Sequence, residues 1–383
     1  MEIAMMPAVV LRERRSIKRD NAANELRLKI IEGEWKPGEK IPNRDNLRRM
    51  LKLSPVTIQK AMEQIEEDGF ISSQGANGTY VVRNLPHLSN YGIVYPHRQT
   101  RDLGWSLFWR LLLKEAEYLE TLNKSSFPIY YASDDRGQGA NHKSKLIRDV
   151  ESHCLAGLIF LSNPYDYMNT PVITSRNVQR VIVMSTLSSI PGIPSVWFDY
   201  SSLIDRALER FAERGRKRIA VITPSGFFEV RQELIHQWMG SLQRHGLTSR
   251  TQWQLGVDLM HPQTARHIVQ LLMSFPKNER PDGLLIADEN LVDPVISGLC
   301  DSNMRIPDDV MLIAHGTFAD TTPITEKFSR IGFDVRMLLH ECVRRINEQC
   351  RKQETSLFTL VPAIFSDEAR ALPLDEVALE KLN

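Results

Sequence analysis

The chain has 383 residues, 42% of them hydrophobic, enough for two or three domains with cores of their own. Its 48 Lys and Arg nearly balance its 47 Asp and Glu, so a nucleic-acid role has to be sought in how charge is distributed and not in its total. Cys154, Cys300, Cys342 and Cys350 are scattered without a C-x-x-C spacing, which argues against a disulfide framework, and no apolar run reaches the length of a membrane span.

The opening "MEIAMMPAVVLRERRS" places its charges after a short apolar patch, the reverse of a secretory signal, so a cytoplasmic protein with an N-terminal arm over residues 1–16 is expected. Residues 17–83 read as one small module. "ANELRLKIIEGEW" is an amphipathic helix with Leu26, Ile30 and Ile31 inward, and Pro37, Gly38 and Pro42 enforce the turn after it. A second helix starts on the cap Asn43 and buries Leu47, Met50 and Leu51. A third starts at "LSPVTIQKAM", with Ser54 as cap and Pro55 at the first helical position. On this third helix Ile58, Ala61, Met62 and Ile65 share a buried face, while Thr57, Gln59, Lys60 and Gln64 face outward. The helix stops at Gly69, and "GFISSQGANGTYVV" is a β-hairpin.

Helix, turn, two helices and a hairpin make a winged helix-turn-helix, whose second motif helix enters the major groove of DNA. Between Asn43 and Lys60 the pair carries Arg44, Arg48, Arg49, Lys52 and Lys60 against Asp45 alone, and acids reappear at Glu63, Glu66 and Glu67, toward the helix end that would leave the groove. The cations suit phosphate; Thr57, Gln59 and Lys60 are placed to read bases, with the cap Ser54 counted among the DNA-binding residues, and the wing tip, Gly75 to Gly78, is narrow enough to lie against the backbone or minor groove. The other reading of such a basic helix pair is a solvated surface.

A short linker, 84–90, carries Pro86. From 91 to 368 apolar runs alternate with helix-length intervals: "YGIVY", "FPIYYAS", "AGLIFLS", "RVIVMS", "SVWFDY", "RIAVIT", "GLLIAD", "MLIAHG" and "SRIGFD". This pattern predicts parallel sheets covered on both faces, too many strands for one sheet, hence an α/β region of two doubly wound subdomains with a cleft between them, followed by a tail at 369–383. His261 and His267 are off the i, i+4 spacing of a helical metal pair, and no dinucleotide, P-loop or nucleophile-elbow motif occurs, so neither metal nor cofactor is expected.

The segments "G-x-x-x-P-G-x-x-I-P", "L-S-x-x-T-I-x-x-A-M", "G-F-I" and "G-T-Y-V" resemble the GntR-type winged helix over about 65 residues. That family favours Arg at the positions of Asp45, Pro55 and Gln59, so no operator sequence carries over, and Lys52 replaces a usual turn Gly. "GRKRIAVI" and "RIPDDV" resemble the sugar-sensing domain of LacI/GalR-type regulators, itself similar to periplasmic sugar-binding proteins; the combination is that of arabinose-type repressors. The resemblance implies an effector-binding Arg at Arg231 and an acid at Glu289 beside Asp288. A guanidinium and a carboxylate hold vicinal hydroxyls in charge-assisted geometry. Strand-end residues Tyr95, His97, Trp105, Phe228, Trp253 and His315 are added as candidates for stacking or hydrogen bonding. The family's Asp after this last strand is Gly316 here.

The expectation is a homodimeric, sugar-responsive DNA-binding regulator, a repressor, with no membrane association. The alternatives are a winged helix fused to an enzyme and a sugar-binding protein without DNA.

Overall fold

The computed structural model describes residues 6–98, 106–122, 125–133, 139–183, 190–230, 232–319, 327–354 and 356–371. The chain divides into two compact units, one drawn from residues 1–103, 116–195 and 342–357 and the other from 104–115, 196–341 and 358–383.

The first unit opens with a helical head. Helix α1 (Met6–Ile31) begins inside the segment expected to be an arm, and its buried stripe is Ala22, Ala23, Leu26 and Ile30. Asn43 caps α2 (Arg44–Leu51), accepting the Asn46 N–H at 2.9 Å. Two turns of helix present only a narrow inward stripe, so Leu47 is buried while Met50, expected inside, is 46% exposed. Lys52 then adopts the left-handed conformation, φ 52°. Helix α3 (Pro55–Glu67) buries Ile58, Ala61, Met62 and Ile65 against α1 and α2 and ends at Gly69, where φ is +79°. Strands β1 (Ile71–Ser73) and β2 (Thr79–Val81) form the antiparallel wing, with Ile71 opposite Val81. The linker folds as a short helix, α4 (Pro86–Ser89). Its His87 stacks on Phe70 with ring planes 7° apart and centroids at 5.9 Å.

The α/β region continues with β3 (Tyr91–His97), α5 (Leu107–Leu122), β4 (Ile129–Ser133), α6 (Gly139–Glu151), β5 (Gly157–Phe160), α7 (Pro171–Thr174), β6 (Gln179–Val183) and β7 (Ser195–Asp199). In the first unit the strands lie in the order β6-β5-β3-β4, all parallel. A parallel sheet joined by crossover helices is covered on both faces, which is why these runs are apolar throughout.

After β7 come α8 (Tyr200–Glu213), β8 (Ile219–Pro224), α9 (Phe227–Val230), α10 (Gln232–Arg244), β9 (Gln254–Val257), α11 (Thr264–Met273), β10 (Gly283–Ile286), α12 (Val292–Asp301), β11 (Met311–Phe318) and β12 (Ser329–Asp334). The chain ends in α13 (Val335–Cys350), β13 (Phe358–Pro362), β14 (Ile364–Phe365) and α14 (Ser366–Ala371). The sheet of the second unit runs β14-β12-β11-β10-β8-β9, parallel except where β14 meets β12. Every apolar run of the sequence is a strand. Strands β9 and β13, half exposed and mixed in composition, were not expected, because edge strands need no continuous apolar run. Where β12 passes into α13 a buried pair closes the far edge: Arg336 donates to Asp334 Oδ2 at 2.5 Å and to the carbonyl of Ala369, in α14, at 2.7 Å.

Two glycines let β11 and β12 approach at the rim that carries His315 and Thr317. Gly316 faces Gly332 in register, and a Cβ on Gly332 would fall 1.8 Å from the Gly316 carbonyl oxygen. Gly332→Ala must therefore push the two strands apart, and it lowers stability by about 2 kcal/mol or more in chemical denaturation. Gly240→Ala, whose added methyl meets only the tip of Arg244 at 3.5 Å inside α10, raises stability by roughly 0.5–1 kcal/mol.

Burial, reinforced by His153, pushes the His87 imidazole down to about 4. The unfolded chain binds that proton near its ordinary value, so the stabilisation is complete above about pH 6.5 and is lost as pH falls toward 4. Melting temperature measured across that window falls for the native chain; His87→Phe, which keeps the stack on Phe70, flattens the slope.

Candidate nucleic-acid interface and strand-end site

The interface of the head is built from caps. The Thr57 N–H donates to Ser54 Oγ at 3.2 Å, and the Ser54 and Thr57 hydroxyls are hydrogen-bonded at 2.8 Å. With Pro55 at the first helical position, this fixes the direction in which α3 leaves its turn. Arg44, Arg48 and Arg49 on α2 and Lys52 and Ser54 in the turn before α3 are all exposed. Arg49 is held along α2 by hydrogen bonds to the Asn46 side chain at 2.5 Å and the Asp45 carbonyl at 3.4 Å. The wing is stapled to α3 by Glu66, which accepts the Ser73 N–H at 2.6 Å and its hydroxyl at 3.0 Å. At the wing tip Gly78 has φ +104°, and the Lys40 side chain lies against it and under the Tyr80 ring.

The outward residues of α3 are less free than their spacing suggests. Thr57 is half-buried and committed to Ser54. The Gln59 amide donates to Glu63 at 2.7 Å. Lys60 is exposed but opens onto a polar cavity of about 740 Å³, whose walls also include Arg27, Glu63, Gln64, Arg148, Glu151 and Ser152. A further residue escaped the sequence reading: Arg27 of α1 is 2% exposed and donates to Asp68 Oδ2 at 2.5 Å, with its guanidinium over the Phe70 ring. Burial raises the Asp68 carboxyl from its ordinary value, and Arg27 opposes that rise. The signal was a cation inside the apolar stripe of a helix.

In the second unit the C-terminal ends of β10, β11 and β12 gather polar groups around one imidazole. Glu289 Oε2 accepts the Thr317 N–H at 3.1 Å. Asp288 caps the short turn after β10, accepting the Asn290 backbone and side-chain amides at 2.9 Å each. Both ring nitrogens of His315 are buried, and among the described residues neither has a hydrogen-bond partner. Burial lowers the His315 pKa; Glu289 and Asp288 work against that, and Arg330 adds to it. Arg330 also donates to the His315 carbonyl at 3.4 Å. Beside them stands an aromatic wall: Phe198 stacks on Phe333 at 4.3 Å, Tyr200 meets Phe333 and Phe227 edge-on at 5.2 and 5.6 Å, and Phe228 follows at 5.4 Å from Phe227. Such an edge offers a carboxylate pair, a neutral imidazole and a flat apolar face to a small polar molecule.

Of the expected effector residues, Asp288, Glu289 and His315 are brought together here, while Phe228 stands at the far end of the aromatic series, beyond Phe227, Tyr200 and Phe333. Arg330, Thr317, Tyr200, Phe227 and Phe333 join them and were missed; a charge set inside the apolar run "SRIGFD" was the available hint for Arg330. Trp253 is not part of this edge: it is 2% exposed in the apolar core with Val257, Leu272 and Leu291, and Arg250 lies over its ring. In the first unit Tyr95 is fully buried beside Tyr131, its phenol pKa raised by burial, and His97 is half-buried with Nδ1 3.1 Å from the Arg98 carbonyl. Trp105 and Arg231 lie outside the described residues.

Residues 18–81 match the family model for bacterial regulatory proteins of the gntR family, and residues 208–363 match that for a periplasmic binding protein-like domain. The arabinose metabolism transcriptional repressor of Geobacillus stearothermophilus is 21% identical over 328 residues, 79% of this chain and 82% of that one. Catabolite control protein A of Priestia megaterium is 22% identical over 282 residues, covering 73% and 79% of the two chains. A LacI-family regulatory protein from Chloroflexus aggregans superposes with a TM-score of 0.54 at 15% identity, over 72% of this chain and 96% of that structure. This last likeness is one of fold.

Ser54→Ala removes the amide acceptor of α3 and the partner of the Thr57 hydroxyl together. It costs about 1 kcal/mol of stability in urea denaturation, while Thr57→Val, which spares the amide cap, costs less.

Proposed function

We propose that this chain, a GntR-type winged helix joined to a periplasmic-binding-protein-like domain, is a transcription regulator whose grip on operator DNA is set by a sugar or sugar-like effector. The observation that carries the reading is the head itself: a capped, exposed helix end following a helix and turn that expose Arg44, Arg48, Arg49 and Lys52, within a segment that matches the gntR family. The cations draw the phosphates, and the end of α3 enters the major groove between them. The reading is of a binding protein and not an enzyme, in line with relatives named as a repressor and a control protein.

The effector is held at the strand ends of the second unit. Asp288 and Glu289 accept its hydroxyl protons, the neutral His315 supplies one donor and one acceptor, and Arg231 adds a cation. Because Glu289 also holds the Thr317 amide, a ligand that engages the carboxylate pulls directly on the rim of β11. The protein acts in the cytoplasm as a homodimer, matching two half-sites, and represses until effector is bound. Among the described residues no helix is long and apolar enough to cross a membrane.

The experiment is a titration of the full-length chain with DNA selected from its own genome, at several salt concentrations and with a sugar panel. Affinity falls with salt on a log–log slope steeper than about −3. One class of sugar shifts it, and Glu289→Gln and Arg231→Ala each weaken that sugar by about tenfold or more while leaving sugar-free DNA binding intact. If both variants keep the full response, the effector does not bind here.

A further inference from the structure

We propose that Val56 reads thymine, through the 5-methyl group in the major groove, and so sets which base the head prefers at its central contact. The proposal rests on the reading of the head as a DNA binder and concerns what that head recognises. Val56 is 65% exposed at the second position of α3, on the outward face of the end that enters the groove. A β-branched residue there buries nothing in the fold and is a mediocre helix former, so stability does not account for it.

The polar side chains around it are occupied. Ser54 and Thr57 are hydrogen-bonded to each other, Gln59 is bonded to Glu63, and Lys60 faces the cavity beside Arg148 and Glu151. Between Leu53 and Gln59 the chain carries no Arg or Lys, the side chains that grip guanine O6 and N7. What the tip of α3 presents is an apolar surface made by Pro55 and Val56, and the one apolar feature on a base edge in the major groove is the thymine methyl. The single preferred χ1 of a helical valine makes that surface rigid, so it selects a methyl at one place instead of adapting to several bases. The surrounding Arg44, Arg48 and Arg49 anchor the helix on phosphate and leave the choice of base to this contact.

The full-length chain is used to select a preferred duplex from a randomised library, and each thymine of that duplex is then replaced singly by deoxyuridine, which removes only the methyl. Affinity of the native chain falls about three- to fivefold at one or two positions. Val56→Ala, a change at an exposed position that favours the helix, loses that discrimination and binds the deoxyuridine duplex within about twofold of the native chain. The proposal is overturned if no thymine is sensitive, or if Val56→Ala keeps the native ratio between thymine and deoxyuridine at every position. Failure of the DNA-binding reading looks different: no duplex is enriched above the library and binding shows no salt slope, and the proposal falls with it.

Discussion

A guanidinium removed from water ties α3 to α1. Arg27 comes from the middle of α1, is 2% exposed, and donates to Asp68, the residue that caps the C-terminal end of α3, at 2.5 Å. Its second nitrogen reaches Asn24 at 3.3 Å, and the ring of Phe70 lies 5.6 Å beneath it. A buried ion pair contributes little net stability against a hydrophobic replacement, yet either partner alone would be a stranded charge costing several kcal/mol. The pair therefore acts as a register pin, and the apolar contact of Ile58, Ala61, Met62 and Ile65 has one geometry in which the charges meet. With the Ser54 cap at its other end, α3 is held at both termini, and its outward residues, Val56 included, share that orientation.

The head is also keyed to the rest of the first unit. Cys154, from the loop after α6, completes the core of the head, and its carbonyl accepts the Asn90 side-chain amide at 3.1 Å. The linker between them is a helical turn with His87 stacked on Phe70, so it is not a loose tether. Helix α6 follows β4 and ends at Arg148, Glu151 and Ser152, which wall the cavity beside Lys60. With thirteen residues and about 1.5 Å of rise for each, it is a rigid strut of about 20 Å between a strand end and the DNA-reading module.

At the strand ends of the second unit the polar groups differ in how they are satisfied. Glu289 and Asp288 already hold backbone amides, which fixes their carboxylates where they stand. Among the described residues neither of the two buried nitrogens of His315 has a hydrogen-bond partner, so the desolvation of the ring is uncompensated there.

Much of this was legible in the sequence because it is local. Asn43 and Ser54 announce their helices through hydrogen bonds three residues long, Gly69 ends α3 through its own backbone freedom, and the apolar runs from "YGIVY" to "SRIGFD" mark buried parallel strands. That Asp288, Glu289 and His315 stand at one edge was within reach, the first two through the family resemblance and His315 because strand ends in such sheets converge there. Tertiary structure alone decided the rest. It placed Arg27 against Asp68, 41 residues away, and Glu289 on Thr317, 28 residues away. It also sent Trp253 into the core and left Val56 outside it. Periodicity states which face of an element is apolar; it does not state what stands opposite that face. Partners distant along the chain are chosen by packing, which local spacing cannot encode.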